Sequence, residues 1–129
     1  MPRLKCIVEY DGTHFVGWQR QLNGRSVQEA IEQAIEKIAE KKITIFGAGR
    51  TDTGVHAVHQ VFHFDFNKDI DVKKITDALN FHLKNESISI LKTELTNADF
   101  DSRRDAKLRI YKYVIINRES PLSIEKDRA

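Results

Sequence analysis

Two stretches of this chain place apolar residues at helical spacing, and each is bracketed by stretches in which apolar and polar residues alternate. The first helical stretch, SVQEAIEQAIEKIAEKK from Ser26, sets Val27, Ile31, Ala34, Ile35 and Ile38 on one face and Glu and Lys on the other. It opens with a capping box, in which Ser26 accepts from the backbone near Glu29 while Glu29 reaches back. The second, DVKKITDALNFHL over 71–83, has Val72, Ile75, Ala78, Leu79 and Leu83 as its stripe and Asp71 as its N-cap. Strand patterns lie at 4–10 (LKCIVEY), 43–47 (ITIFG), 58–66 (VHQVFHFDF), 87–95 (SISILKTEL) and 107–117 (KLRIYKYVIIN). In 58–66, Phe62, Phe64 and Phe66 share one face, and His59, Val61, His63 and Asp65 share the other.

The order is β-α-β-β-α-β with one strand more. This predicts an α+β fold of the ferredoxin-like, split-βαβ kind, an antiparallel sheet with both helices packed on one face. A chain of 129 residues suits one domain. The folded part is expected over 1–117, with a polar tail over 118–129. Apolar content of 40% and charged content of 31% describe a globular chain and exclude a disordered one. One cysteine, Cys6, excludes an intramolecular disulfide or a thiolate metal cluster and suits a reducing cytoplasm. No apolar run approaches the ~20 residues of a membrane span, and MPRLKC lacks the apolar core of a signal peptide. A net charge of +2 says little about partners, but residues 103–112, RRDAKLRIYK, gather five cations against one anion.

The chemistry concentrates in GAGRTDTGVHA, residues 47–57, between two strands. Gly47, Gly49 and Gly54 permit backbone angles closed to other residues and let a ligand approach the main chain. Arg50, two residues before Asp52, is expected to hold that carboxylate anionic, ready to act as nucleophile, base or electrostatic stabiliser. The segment is not a phosphate loop, because no Lys-Ser or Lys-Thr follows the glycines. It is not a dinucleotide fingerprint either, because the third glycine and the following helix are missing. Composition leaves two readings open: a site, or a tight loop whose Arg–Asp pair braces two strands.

Three further groups of residues bear on function. Alternation in 107–117 puts Arg109, Tyr111 and Tyr113 on one face, a surface for stacking bases and contacting phosphate. His56, His59 and His63 with Asp65 suggest zinc, but His59 and His63 on an extended strand are about 13 Å apart, too far for one ion. In YDGTHFVGWQR (10–20), Phe15 and Trp18 are expected to cap the core, leaving Gln19 and Arg20 to face a ligand.

Taken together, YDGTHFVGWQRQ, SVQEAIEQAI, GAGRTDTGVHAVHQVFHF, ALN (78–80) and the A-x-x-R-x-Y-x-Y run from Ala106 to Tyr113 resemble the TruA family of tRNA pseudouridine synthases, in order and spacing. The GRTD-x-GVHA core is the most specific part of the likeness. The resemblance implies isomerisation of uridine to pseudouridine in the anticodon stem-loop of tRNA, with no cofactor and no metal. It implies Asp52 as the catalytic aspartate, and Arg50 as its partner and a group that helps displace the target nucleotide. It also implies Tyr111 as the ring that packs on the target uracil, with Arg109 beside it. Arg103 falls where the family has an arginine before that strand; Arg20, Gln19 and His56 are the other candidates for RNA contact. Asp101 and Ser102 depart from the family's frequent His-Ala at those places.

Members of the family are built of two similar halves around a basic cleft and act as homodimers. This chain corresponds to the first half, the one with the aspartate, and the tail at 118–129 is expected to lead toward a second. Two other classes stand beside this reading: a non-catalytic RNA-binding ferredoxin-like module, and a metal-dependent hydrolase using the histidines.

Overall fold

The computed structural model describes residues 2–22, 24–69 and 71–105. The strand expected at 107–117, with Arg109 and Tyr111, and the tail at 118–129 lie outside the described residues. Within them the elements run β1 (Arg3–Tyr10), α1 (Val27–Ala39), β2 (Phe46–Gly47), β3 (Ala57–Asp65), α2 (Val72–Leu83) and β4 (Ile88–Thr96). A short 3-10 turn, Gly12–His14, follows β1. The strands form one antiparallel sheet in the order β2-β3-β1-β4. That order, with two helices between the strands, is the ferredoxin-like arrangement expected from the pattern.

The helices start where the sequence provides a cap. Ser26 Oγ accepts from the Glu29 N–H at 3.0 Å, and Asp71 accepts from the Lys73 N–H at 2.8 Å. The Glu29 carboxylate lies 3.7 Å from the Arg25 guanidinium. Val27, Ile31, Ala34 and Ile35 of α1 and Ile75, Leu79 and Leu83 of α2 enter one core with Leu4, Cys6, Val8 and Tyr10 of β1 and Phe62 and Phe64 of β3. Phe62 sits at its centre, its ring centroid 6.0 Å from Trp18 and 6.1 Å from Phe64. Each fully buried side chain of this size contributes about 1.5–3 kcal/mol. Cys6 is part of this core, and burial pushes its thiol up to about 12, which removes it from nucleophilic chemistry.

Two local departures from the pattern have identifiable causes. The strand expected over 43–47 is confined to Phe46–Gly47. Ile45 donates its backbone N–H to the buried carboxylate of Glu32 at 3.0 Å, so the chain before Phe46 is tied to α1 instead of a neighbouring strand. In β4, Ile7 faces Lys92 while Val8 faces Ile90, which leaves Leu91 as the extra residue of a bulge. The bulge shifts the alternation by one, so Ile88, Ile90 and Thr93 are all buried.

Residues after β4 fold back over the face of the sheet opposite the helices. Phe100 meets the His63 ring edge-on at 5.8 Å, and its carbonyl accepts from Arg3 at 2.6 Å. Ser102 is buried, its hydroxyl 2.8 Å from His63 Nδ1 and its N–H 3.1 Å from the same nitrogen. Asp101 accepts from the N–H groups of Arg103 and Arg104 at 3.0 and 2.9 Å, which closes a turn on which that basic pair is exposed.

His63 is only 3% exposed. Burial, reinforced by Arg3 of β1, lowers its pKa from 6.5, while Asp101, Asp65 and Asp105 oppose this more weakly. A histidine held neutral in the fold stabilises it above the unfolded pKa, and that stability is lost as pH falls through the folded pKa. Unfolding free energy should therefore decline as pH falls below about 6.5 and on through the lowered folded-state pKa, and His63→Gln should flatten that slope. Asp65, Asp101 and Asp105, whose pKa values are lowered from 3.8, act in a separate window further down. Urea unfolding at stepped pH measures both; an unchanged slope in the variant would contradict the assignment.

Candidate active site

The loop from Ala48 to His56 leaves the short β2 and returns into β3, and it lies against the loop that follows β1. The two backbones meet without side chains between them. A Cβ on Gly12 would lie 1.9 Å from the Val55 carbonyl oxygen, and one on Gly17 would lie 2.5 Å from the Thr51 carbonyl oxygen. Gly17 also holds φ at +99°, a region that other residues rarely adopt. These glycines serve the approach of one loop to the other.

Hydrogen bonds pin the catalytic-candidate loop along its length. The Ala48 N–H donates to the Val61 carbonyl at 2.8 Å, and Gln60 Nε2 donates to the Gly49 carbonyl at 2.7 Å. The Trp18 N–H reaches the Thr51 carbonyl at 3.0 Å, and the Gly54 N–H reaches the Phe15 carbonyl at 3.2 Å. Tyr10 and Thr51 share a hydroxyl–hydroxyl bond of 2.8 Å. Between these anchors the Val55 N–H closes a turn onto the Asp52 carbonyl at 3.1 Å, with Gly54 at φ +79°. Phe15 and Trp18, 4% and 3% exposed, cap the core beneath, as expected.

Asp52 itself is exposed, and so is Arg50. Among the described residues no ion pair joins them. This corrects the expectation that Arg50 pairs with the carboxylate. Thr51, half-buried between them, takes the inward contacts, so bracing belongs to the backbone and to Thr51. The consequence is chemical. A carboxylate and a guanidinium are thus both exposed on one pinned loop, two residues apart in the sequence.

The other candidates are distributed around this loop or away from it. His56 Nδ1 lies 2.9 Å from the Gly12 N–H and 3.0 Å from the Asp11 carboxylate, which ties the end of the loop to the turn after β1. Gln19 is exposed. Arg20 is half-exposed but forms an ion pair with the buried Glu32, which also accepts from Gln28 at 3.1 Å. The expectation that Arg20 stands uncommitted is corrected, because Glu32 would otherwise be a buried carboxylate with too few donors. Arg103 lies at the far end of the sheet's covered face, with its N–H on Asp101.

Of the histidines weighed for zinc, His63 is engaged by Ser102, and Asp65 binds Arg3 through both oxygens at 2.8 and 3.1 Å. Among the described residues no three His, Cys, Asp or Glu side chains are grouped to hold a metal. Among them, too, no helix is long and apolar enough to cross a membrane.

Tyr10, Thr51, Gln60 and the pair Gly12 and Gly17 were not singled out by sequence. Glycines beside aromatic residues in YDGTHFVGW were the available signal for a close backbone approach. Nothing in the sequence marks Tyr10 as anything but the last inward residue of a strand.

The sequence pattern of a family described as tRNA pseudouridine synthase matches residues 6–103, which take in Arg50, Asp52 and Arg103. The chain is 47% identical over 128 residues to tRNA pseudouridine synthase A of Ehrlichia ruminantium (strain Gardel), a match covering 98% of this chain and 52% of that protein. It is 53% identical over 131 residues to tRNA pseudouridine synthase A of Brucella ovis, covering 100% of this chain and 52% of that one. The chain spans about half the length of these curated relatives.

The packing of the two loops generates a test. Gly12→Ala drives a methyl group into the Val55 carbonyl, whereas Gly54→Ala meets nothing within 4 Å and carries backbone strain alone. Gly54→Ala should cost about 1–2 kcal/mol, and Gly12→Ala should cost more. Equal losses in urea unfolding would show that the loops do not depend on this contact.

Proposed function

The chain belongs to the tRNA pseudouridine synthase family, and we propose that it is the half bearing the catalytic carboxylate of an enzyme that isomerises uridine to pseudouridine in the anticodon stem-loop of tRNA. The observation that carries this reading is Asp52, exposed on a loop pinned from both sides.

The reaction needs little more than one such group. The bond between C1′ and N1 breaks, the uracil turns, and C5 joins C1′; C5 loses a proton and N1 gains one, so product and substrate have the same atoms. Sugar hydrolases commonly use two carboxylates, one of them to activate water. Here water is not a reactant, and one carboxylate suffices. Asp52 either attacks C1′, to be displaced when C5 bonds there, or takes the C2′ proton and returns it after the base has turned.

A stacked uridine is out of reach, so the nucleotide must leave the stack. Arg50, exposed on the same loop two residues before Asp52, is proposed as the group that contacts the displaced nucleotide or its phosphate. Tyr111 and Arg109 are proposed as the stacking ring and its neighbour, and Arg103, Gln19 and His56 as further RNA contacts. The second half of a two-half enzyme would complete the cleft, and a cytoplasmic homodimer is the proposed assembly. A non-catalytic RNA-binding module would stack bases on the open sheet face. In this chain Phe100 and Ser102 cover that face at His63, which disfavours the alternative.

In the full-length protein, Asp52→Asn should lower the single-turnover rate of pseudouridine formation by at least about a thousandfold while tRNA affinity stays within a few-fold. Chromatography of digested nucleosides measures the product. Turnover retained in the variant would remove Asp52 from the chemistry.

A further inference from the structure

We propose that Tyr10 is a positioning residue for Asp52, acting through Thr51; the proposal rests on the functional reading above. Tyr10 is the last residue of β1 and is 4% exposed, with its ring 6.0 Å from the Trp18 ring. Its hydroxyl does not stop in the core. It reaches the Thr51 hydroxyl at 2.8 Å, and Thr51 is joined directly to Asp52. Burial raises the pKa of the phenol, so the group remains a neutral hydroxyl that can both donate and accept.

The geometry makes Thr51 the most constrained residue of the loop. Its carbonyl accepts from Trp18, its backbone lies against Gly17, and its side chain is held by Tyr10. Threonine is branched at Cβ, so fixing its hydroxyl fixes χ1 and narrows its backbone angles as well. Those angles set the direction in which Asp52 leaves the loop. From Asp52 onward the turn is closed by the Val55 N–H on the Asp52 carbonyl. The carboxylate is thus aimed from one side by a sheet residue and from the other by a turn. At the same level, β3 carries a bulge: Val8 faces Gln60 while Tyr10 faces Ala57, which leaves Val58 and His59 opposite Glu9 alone. The bulge brings the end of β1 and the base of the loop into register for the hydroxyl pair.

A catalytic group displaced by about 1 Å can lose on the order of a hundredfold in rate. Tyr10→Phe keeps the ring and removes the hydroxyl; Thr51→Val keeps the shape and removes its partner. In the full-length protein each should lower kcat by about tenfold to a hundredfold and leave KM for tRNA within about twofold. The double variant should be no slower than either single variant, because both remove the same bond. Thr51→Ser, which retains the hydroxyl, should keep most of the wild-type rate.

Wild-type kcat in Tyr10→Phe, losses that multiply in the double variant, or losses confined to KM would each overturn the proposal. A purely structural role would instead lower the melting temperature and leave kcat per folded molecule unchanged. If the wild-type protein forms no pseudouridine, the functional reading fails, and the local claim is decided separately by amide exchange. The Val55 N–H should then exchange about tenfold faster in Tyr10→Phe, and equal exchange would overturn the coupling.

Discussion

The molecule depends on two loops touching backbone to backbone at one end of the sheet. Gly12 and Gly17 leave room for the carbonyls of Val55 and Thr51, and no side chain could stand between them. Because the contact is made by main chain, it brings N–H and carbonyl groups into mutual range, and Trp18 with Thr51 and Gly54 with Phe15 satisfy one another there. A loop rich in glycine and hydroxyl residues would otherwise be the most mobile part of such a chain. Here it is tied at its start, its middle and its end, and Arg50 and Asp52 are among the side chains left exposed.

The polar interior follows the same economy of partners. Glu32 would be costly to bury, yet it holds Ile45, Gln28 and Arg20, and so joins α1 to the segment entering β2. His63 serves the opposite face, where Ser102 and Phe100 close over it just before the exposed pair Arg103 and Arg104. Glu32 and His63 each link elements distant in sequence. The sheet supplies rigidity, and these few groups determine where the loops leave it.

The helices and the strand faces could be read from the sequence because they rest on local periodicity. Ser26 and Asp71 cap the helices that their spacing announced, and Phe62 and Phe64 of β3 enter the core together with Phe66 just beyond it. What stayed hidden was set by partners far along the chain. The strand expected at 43–47 gives up Ile45 to Glu32, and the alternation of β4 slips at Leu91 to meet β1. The prominence of Asp52 was legible in its motif. The absence of an Arg50–Asp52 pair was not, because proximity in sequence does not fix which way two exposed side chains turn. Tyr10 escaped notice for the opposite reason: its apolar ring satisfies the strand pattern, and the work proposed for it belongs to one oxygen atom.

The central claim is that the pinned loop delivers the Asp52 carboxylate to a ribose. Its most direct test is a structure of the full-length protein bound to a tRNA anticodon stem-loop. The account predicts a uridine turned out of the stack with an Asp52 oxygen about 3–3.5 Å from C1′ or the C2′ hydrogen position, and the loop from Ala48 to His56 unmoved. A bound uridine whose ribose lies far from Asp52, with another carboxylate beside it, would contradict the account.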